Sequence, residues 1–312
     1  MKRVVLATRL PLQRAQEILQ YRLSGIATVL CSAEPESLSE VTAVIAEPDI
    51  TLRAEQLQHI DGLRHIVIPS AGTDNVDLQA AHSLGIDVCE VRELVRRDAS
   101  DHTLALILAV VRDVRTGQFA AAHGQWDVTL THPRQVQGTR LGLVGFGTVA
   151  EAVARGAIAL GMEVRAHNRR GLSVDAAARG VRLAPDLRSL LAWADVISVH
   201  VPLTPATKGL IGMRELSAMR PGSAIVNIAR GAIIDSRALR QALDSGHLRT
   251  AALDVMDPEP PPADHPLLHH AQVLVTPHMA WYSPISVLAT YERVGDELRN
   301  ILTRGADERL HG

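Results

Sequence analysis

Short runs of uninterrupted apolar residues alternate with helical patterns along the whole chain, and no other feature restricts its fold so strongly. The runs cover residues 4–7, 44–46, 66–68, 141–144, 164–166, 196–199, 224–228, 251–255 and 273–275. A strand with one wet face alternates apolar and polar residues, whereas a strand that is apolar throughout is covered on both faces. Separated by helices, such strands build parallel sheets flanked by helices, which is an α/β fold. With 312 residues the chain can form two such domains, each with its own core. Two helical segments are placed to cross between sheets. One runs from about Ala99 to about His123 and carries Leu104, Leu106, Ile107, Leu108, Val110 and Val111. The other begins at Ser283-Pro284, an N-cap followed by a proline at the first helical position, and continues to about Thr303. The expected division is therefore 1–98 plus 281–312 in one domain and 99–280 in the other. A cleft between the two would be the usual place for a small-molecule site.

Charge and composition narrow the function classes. Lys and Arg total 32 against 34 Asp and Glu, so the balance gives no reason to expect nucleic acid or an anionic membrane as partner. No stretch approaches the roughly 20 apolar residues that span a bilayer. The run at 4–7 is far too short for a signal-peptide core, so a cytoplasmic location is expected. Cys31 and Cys89 are the only cysteines and lack metal-type spacing. They are expected as buried free thiols in a reducing compartment, and no metal site is expected.

The sharpest local motif is Gly145-Phe146-Gly147-Thr148-Val149-Ala150, which follows the 141–144 run and opens a helical pattern. Strand, glycine turn and helix in this order form a dinucleotide-binding fingerprint. The first glycine makes the turn, the second admits the pyrophosphate, and Ala150 allows close helix–strand packing. The helix N-terminus offers unpaired N–H groups to the phosphates. A second strand, 163–167, arrives at the expected distance. An NAD-selective site places an acid at the end of that strand to bind the ribose 2′-hydroxyl. Here the chain has Asn168, Arg169 and Arg170 instead, and two guanidinium groups suit a 2′-phosphate. NADP is therefore the favoured cofactor, with NAD as the alternative.

Three further strand ends carry Arg230, Glu259 and His278. In an open parallel sheet the strand C-termini converge on the ligand crevice. An arginine can hold a substrate carboxylate and polarise the neighbouring carbonyl. Hydride addition to that carbonyl leaves an oxygen that needs a proton, which a histidine can supply. A nearby glutamate orients and tunes the imidazole.

Taken in order, GFGTVA, HVPLTPATKGLI, NIARGAIID, ALDVMDPEP and VTPHMAW resemble the D-isomer-specific 2-hydroxyacid dehydrogenases. The resemblance extends through SAGTDNVD (70–77) and SDHTLALILA (100–109) and covers about 43 to 302. It implies two Rossmann/flavodoxin-like domains with an interdomain cleft, and hydride exchange between a nicotinamide cofactor and a small 2-oxo or D-2-hydroxy acid. Arg230 is implied as the substrate anchor, His278 as the proton donor and Glu259 as its partner. Ala71 and Gly72 are implied as the loop that holds the substrate carboxylate. Asp254 and Ala229 correspond to positions that bind the nicotinamide amide. Val201, Pro202 and Thr207 correspond to adenosine-side contacts, and Thr103 to a further cofactor contact. Ile228 and Ala280 flank these positions and are counted with the cofactor site. The family is typically homodimeric through the cofactor domain, which would cover the apolar surface of the segment from Ala99 to His123.

The segment 278–283 is also similar to the C-terminal-binding-protein branch, which implies Trp281 on the wall of the substrate pocket and favours an acid with an apolar or sulfur-containing side chain. The missing acid at position 168 instead resembles the NADP-using glyoxylate and hydroxypyruvate reductases. Arg92, Arg96 and Arg97 stand where the family usually has a proline- or glycine-containing turn; they would either attract a second anionic group or remain solvated. Two other functions share the fold. One is a cofactor-sensing, corepressor-like interaction module with little turnover. The other is a phosphite-type dehydrogenase. A formate-type enzyme is disfavoured because Glu259 stands where glutamine is the pattern.

Overall fold

The structure is a computed structural model and describes residues 1–70, 72–91 and 96–307, with side chains to 303. The chain divides into two compact units, Met1–Val95 with Tyr282–Gly312, and Arg96–Trp281. Each is an α/β unit around one parallel sheet.

In the first unit, β1 (Lys2–Ala7), β2 (Ala27–Ser32), β3 (Val41–Ala46), β4 (His65–Ile68) and β5 (Asp87–Glu90) lie in the order β2-β1-β3-β4-β5. This is the flavodoxin-like order. The helix Pro284–Asp307 packs on the helix Gln13–Arg22, and Arg22 pairs with Glu292 and Asp296 across them. The N-terminal end of the long helix is capped as expected, with the Ser286 N–H donating to Ser283 Oγ at 3.1 Å.

The second unit holds β6 (Arg140–Val144), β7 (Glu163–His167), β8 (Arg182–Leu183), β9 (Val196–Val199), β10 (Ser223–Asn227), β11 (Leu248–Leu253) and β12 (Val273–Val275). Their order, β12-β11-β10-β9-β6-β7-β8, is the Rossmann arrangement with a seventh strand. Period-two alternation splits its core into two layers. Leu141, Leu143, Ala224 and Val226 face one layer, with Leu106, Ile107 and Val110 from the helix Arg96–Val111 and Val153 and Ala154 from Thr148–Ala159. Val144, Ile197 and Ile225 face the other, with Leu190 and Leu239.

Four expectations need correction. The strands β2, β5 and β8 do not stand out as apolar runs, and all three lie at sheet edges. An edge strand is covered on fewer sides and needs less continuous apolar sequence, although β12, at the other edge of the second sheet, is an apolar run. The single helix expected from Ala99 to His123 is two, Arg96–Val111 and Val114–Ala122. Asp113 between them takes a left-handed conformation, φ 55°, and its buried carboxylate accepts from Thr116 Oγ1 and the His132 N–H at 2.8 Å each. The apolar surface of the first of these helices needs no partner chain, because Leu106, Ile107, Val110 and Val111 are buried within their own unit. Finally, Cys31 is exposed and Cys89 only half-buried, both free, since both sit on edge strands.

Candidate active site

In the second unit the strand order reverses between β6 and β9, so loops leaving their carboxyl ends diverge and leave a crevice. The glycine turn begins there. Gly145 adopts φ 92°, which an L side chain rarely takes, and a Cβ on it would stand 2.6 Å from the His200 carbonyl oxygen. At Gly147 a Cβ would meet nothing within 4 Å. Gly147 is also the N-cap of the helix Thr148–Ala159, and no side chain caps that helix. An open cradle in front of uncapped N–H groups fits a diphosphate. Ala150, at the third position, is buried. Phe146 and Val149 pack half-buried against the core, and Thr148 is exposed.

At the end of β7, Asn168 donates from Nδ2 to the Gly171 carbonyl at 2.8 Å, closing a turn on which Arg169 and Arg170 are exposed. Beyond β9, the Thr207 hydroxyl donates to the Pro202 carbonyl at 2.6 Å and ties the loop that starts at Val201. His200, at the root of that loop, has Nε2 2.9 Å from Ser198 Oγ, and burial lowers its imidazole to about 4, so the ring is neutral.

The next three strand ends are knitted together. Asn227, buried at the end of β10, accepts from the Ala229 N–H at 3.0 Å and donates to the Arg230 carbonyl at 2.9 Å. This bends the chain so that Ile228 and Ala229 stay half-buried and Arg230 donates from Nη1 to the Ala229 carbonyl. The bend packs on the loop after β11, where a Cβ on Gly231 would lie 2.6 Å from the Asp257 nitrogen. From that loop Glu259 reaches back, with Oε1 2.5 Å from His278 Nδ1. His278 follows β12 and has φ 51°. A left-handed residue other than glycine costs on the order of 1 kcal/mol, and here it faces Glu259 across a loop of prolines.

Asp254, at the end of β11, sits behind this histidine. Its carbonyl accepts the His278 N–H at 2.8 Å, while Oδ1 and Oδ2 accept the N–H groups of Met279 and Ala280 at 2.9 Å each. Thr276 Oγ1 adds a donor at 2.5 Å, and His102 Nε2 stands 3.4 Å from Oδ1. Burial pushes this carboxyl up, but the hydrogen bonds from His102, Thr276 and the two backbone groups outweigh it and hold it below the usual carboxylate range.

Arg230, Glu259, His278, Asp254, Ala229 and Ala280 thus belong to one cluster of strand ends. Thr103 is enclosed, 0% exposed, with its hydroxyl turned back on the Ala99 carbonyl of its own helix at 2.6 Å. Trp281 ends the second unit and is half-buried. Gly72 lies in the first unit, where Ser70 Oγ donates to its carbonyl at 2.7 Å. Ala71 and Arg92 lie outside the described residues; Arg96 and Arg97 are exposed. Residue-type reasoning missed Asn227, Thr276 and His102. Their signal is positional only: a polar residue at or near the end of an apolar strand, and a histidine where the helix Arg96–Val111 turns from polar to apolar.

The D-isomer specific 2-hydroxyacid dehydrogenase, NAD binding domain, matches residues 104–280. The chain belongs to this family. Among curated relatives, D-3-phosphoglycerate dehydrogenase of Methanocaldococcus jannaschii is 31% identical over 267 residues, 86% of this chain and 51% of the relative. That of Mycobacterium tuberculosis is 37% identical over 243 residues, 78% of this chain and 46% of the relative. The chain therefore spans about half the length of the curated relatives it matches. Among solved structures, the TT0316 protein of Thermus thermophilus shares 35% identity at a TM-score of 0.84, with 98% and 97% of the two chains covered. NAD-dependent formate dehydrogenase of Staphylococcus aureus in complex with NAD shares 25% identity at 0.86, with 97% and 96% covered. The matched region is an NAD binding domain, and the glycine turn lies within it. Among the described residues no helix is long and apolar enough to cross a membrane, and no group of three or more His, Cys, Asp or Glu side chains could hold a metal ion.

Proposed function

We propose that the protein interconverts a small 2-oxo acid and its D-2-hydroxy acid. The observation that carries this reading is the 2.5 Å contact of His278 Nδ1 with Glu259 Oε1 in the same strand-end cluster as Arg230. A dihydronicotinamide, when bound, supplies the hydride. Glu259 accepts the Nδ1–H and so directs the imidazole, leaving Nε2 to give a proton to the substrate oxygen during reduction and to take it back during oxidation. The Arg230 guanidinium takes the substrate carboxylate as a two-point fork and stabilises charge on the adjacent oxygen. Ala71 and Gly72 keep the role the resemblance implies, as backbone N–H donors to the substrate, and Trp281 forms part of the pocket wall. Asp254, Ala229, Ile228 and Ala280 border the nicotinamide, while Val201, Pro202 and Thr207 border the adenosine. Residues 99–280 act as the cofactor domain and the remainder as the substrate domain. The active form is a homodimer.

Asn168 presents no carboxylate to a ribose diol and spends its amide on the 168–171 turn, while Arg169 and Arg170 stand exposed beside it. This supports a preference for NADP over NAD. The relatives named D-3-phosphoglycerate dehydrogenase add that compound to the candidate substrates, and exposed Arg96 and Arg97 suit a second anionic group.

One experiment tests all of this. Aliphatic, sulfur-containing and phosphorylated 2-oxo acids are reduced with NADPH and NADH, D-3-phosphoglycerate is oxidised with both oxidised forms, and absorbance at the nicotinamide band is followed. Turnover of at least one acid is expected, with higher kcat/KM for the phosphorylated cofactor. The same panel on Trp281→Ala should reorder the acids by side-chain size. No turnover with any member sinks the enzymatic reading; a higher kcat/KM with NADH sinks the NADP preference.

A further inference from the structure

The residues that fix His278 are themselves held from the helix Arg96–Val111. His102 on that helix places Nε2 3.1 Å from Thr276 Oγ1 and 3.4 Å from Asp254 Oδ1. The Thr276 hydroxyl lies 2.5 Å from the same carboxylate oxygen. An ionised carboxylate only accepts, so the one hydroxyl hydrogen of Thr276 goes to Asp254. The Thr276 oxygen is then an acceptor towards His102, and Nε2 of His102 carries the hydrogen. The series runs one way: His102 to Thr276, Thr276 to Asp254. Asp254 in turn takes three successive backbone N–H groups, those of His278, Met279 and Ala280. Those three bonds enclose the one residue of the segment with a positive φ, His278.

We propose that His102 is a positioning residue for the reaction: by donating Nε2–H into the Thr276–Asp254 pair it holds the carboxylate in the orientation that clamps the N–H groups of Met279 and Ala280, directly after His278, and so aims the His278 ring. Consequences for turnover rest on the reading of His278 as proton donor; the clamp does not. His102 spends its Nε2–H 174 residues away, on the strand end that bears the proton-transfer group. The geometry also separates the roles along the series. Thr276 and Asp254 are bonded directly to the segment or to each other, whereas His102 reaches it only through them, so its loss should loosen the clamp without emptying it.

The test compares wild type with His102→Leu, which removes the donor, and His102→Gln, which keeps an N–H at similar reach. Amide hydrogen exchange is measured on the protein without ligand. Exchange at Met279 and Ala280 should quicken about tenfold in His102→Leu and return to within about twofold of wild type in His102→Gln, while amides of β6 and β10 keep their wild-type rates. In steady-state reduction, kcat should fall about tenfold in His102→Leu with the KM for dinucleotide unchanged, and His102→Gln should recover it with the wild-type pH profile. Wild-type exchange at 279 and 280 in a folded His102→Leu overturns the proposal, as does failure of glutamine to restore it. Should the leucine variant not fold, Thr276→Val interrupts the same series and must quicken the same two amides. A wild-type protein that turns over nothing defeats the proton-donor reading alone, because the exchange measurement still decides the clamp.

Discussion

At the scale of single residues, the proposed chemistry depends on geometry that close substitutes cannot reproduce. Arg230 follows a bend shaped by Asn227, and a guanidinium there offers two parallel donors to a carboxylate. Lysine keeps the charge and loses the fork, so Arg230→Lys should lower kcat/KM for the 2-oxo acid by about a hundredfold, mostly through KM. Glu259→Gln leaves a neutral group 2.5 Å from His278 Nδ1 and allows the ring to turn or change tautomer. That change should lower kcat by about tenfold to a hundredfold with KM little altered. Steady-state kinetics on the two variants separate these roles, and equal effects on kcat from both would contradict the assignment.

Secondary-structure elements here are joined by buried polar groups as much as by apolar contact. The break between Arg96–Val111 and Val114–Ala122 is held by Asp113, whose carboxylate meets Thr116, the His132 N–H and, at 3.4 Å, Arg249 of β11. Burial lowers the Arg249 guanidinium below its ordinary range, and Asp113 is the opposite charge that offsets this. Removing one member of such a pair leaves the other buried and uncompensated. Asp113→Ala should therefore cost about 3 kcal/mol, read from urea unfolding of the protein. A variant as stable as wild type would show that the break is set by packing alone.

For the whole molecule, one buried group in each unit ties stability to pH, and the two act in opposite directions. In the first, Glu47 after β3 is 2% exposed, and the Tyr291 hydroxyl donates to it at 2.6 Å. Burial raises its carboxyl from the ordinary 4.5 to about 8, Tyr291 opposing and Asp49 adding to the rise. Between those values the unfolded chain has lost this proton and the folded one keeps it, so stability falls as pH rises from 4.5 to about 8. In the second unit, His200 is lowered from 6.5 to about 4. Here the unfolded chain gains the proton first, so stability falls as pH drops from 6.5 to about 4. Calorimetry across pH should show Glu47→Gln flattening the alkaline decline and leaving the acid one. A Glu47→Gln profile parallel to wild type would contradict the buried neutral acid. The proposed homodimer belongs at this scale too. Trp126 is 95% exposed and Val128 84%, in a stretch of the cofactor unit exposed from 121 to 130. Apolar side chains this exposed and this close together suit the proposed dimer contact. Trp126→Glu should halve the mass seen by sedimentation, and a wild-type monomer would remove the dimer altogether.

Covered strands, the glycine turn and the three strand-end groups are legible in the sequence because each is a local pattern. A run apolar on both faces has one structural solution, and a glycine pair after such a run has few. Edge strands such as 182–183 stay hidden because a half-covered strand leaves little apolar signature. The break at Asp113 stays hidden because two partners of its carboxylate, the His132 N–H and Arg249, are distant in the chain. The residues that work by holding others stay hidden for the same reason. Nothing local at His102, Thr276 or Asn227 tells what each will bond, since donors and acceptors far apart in sequence are paired only when the sheet brings strand ends together. The sequence by itself determines which strands are buried and which side chains are candidates for the chemistry; the tertiary structure alone decides how those side chains are aimed, because aim is set by hydrogen bonds between elements that meet only in the folded chain.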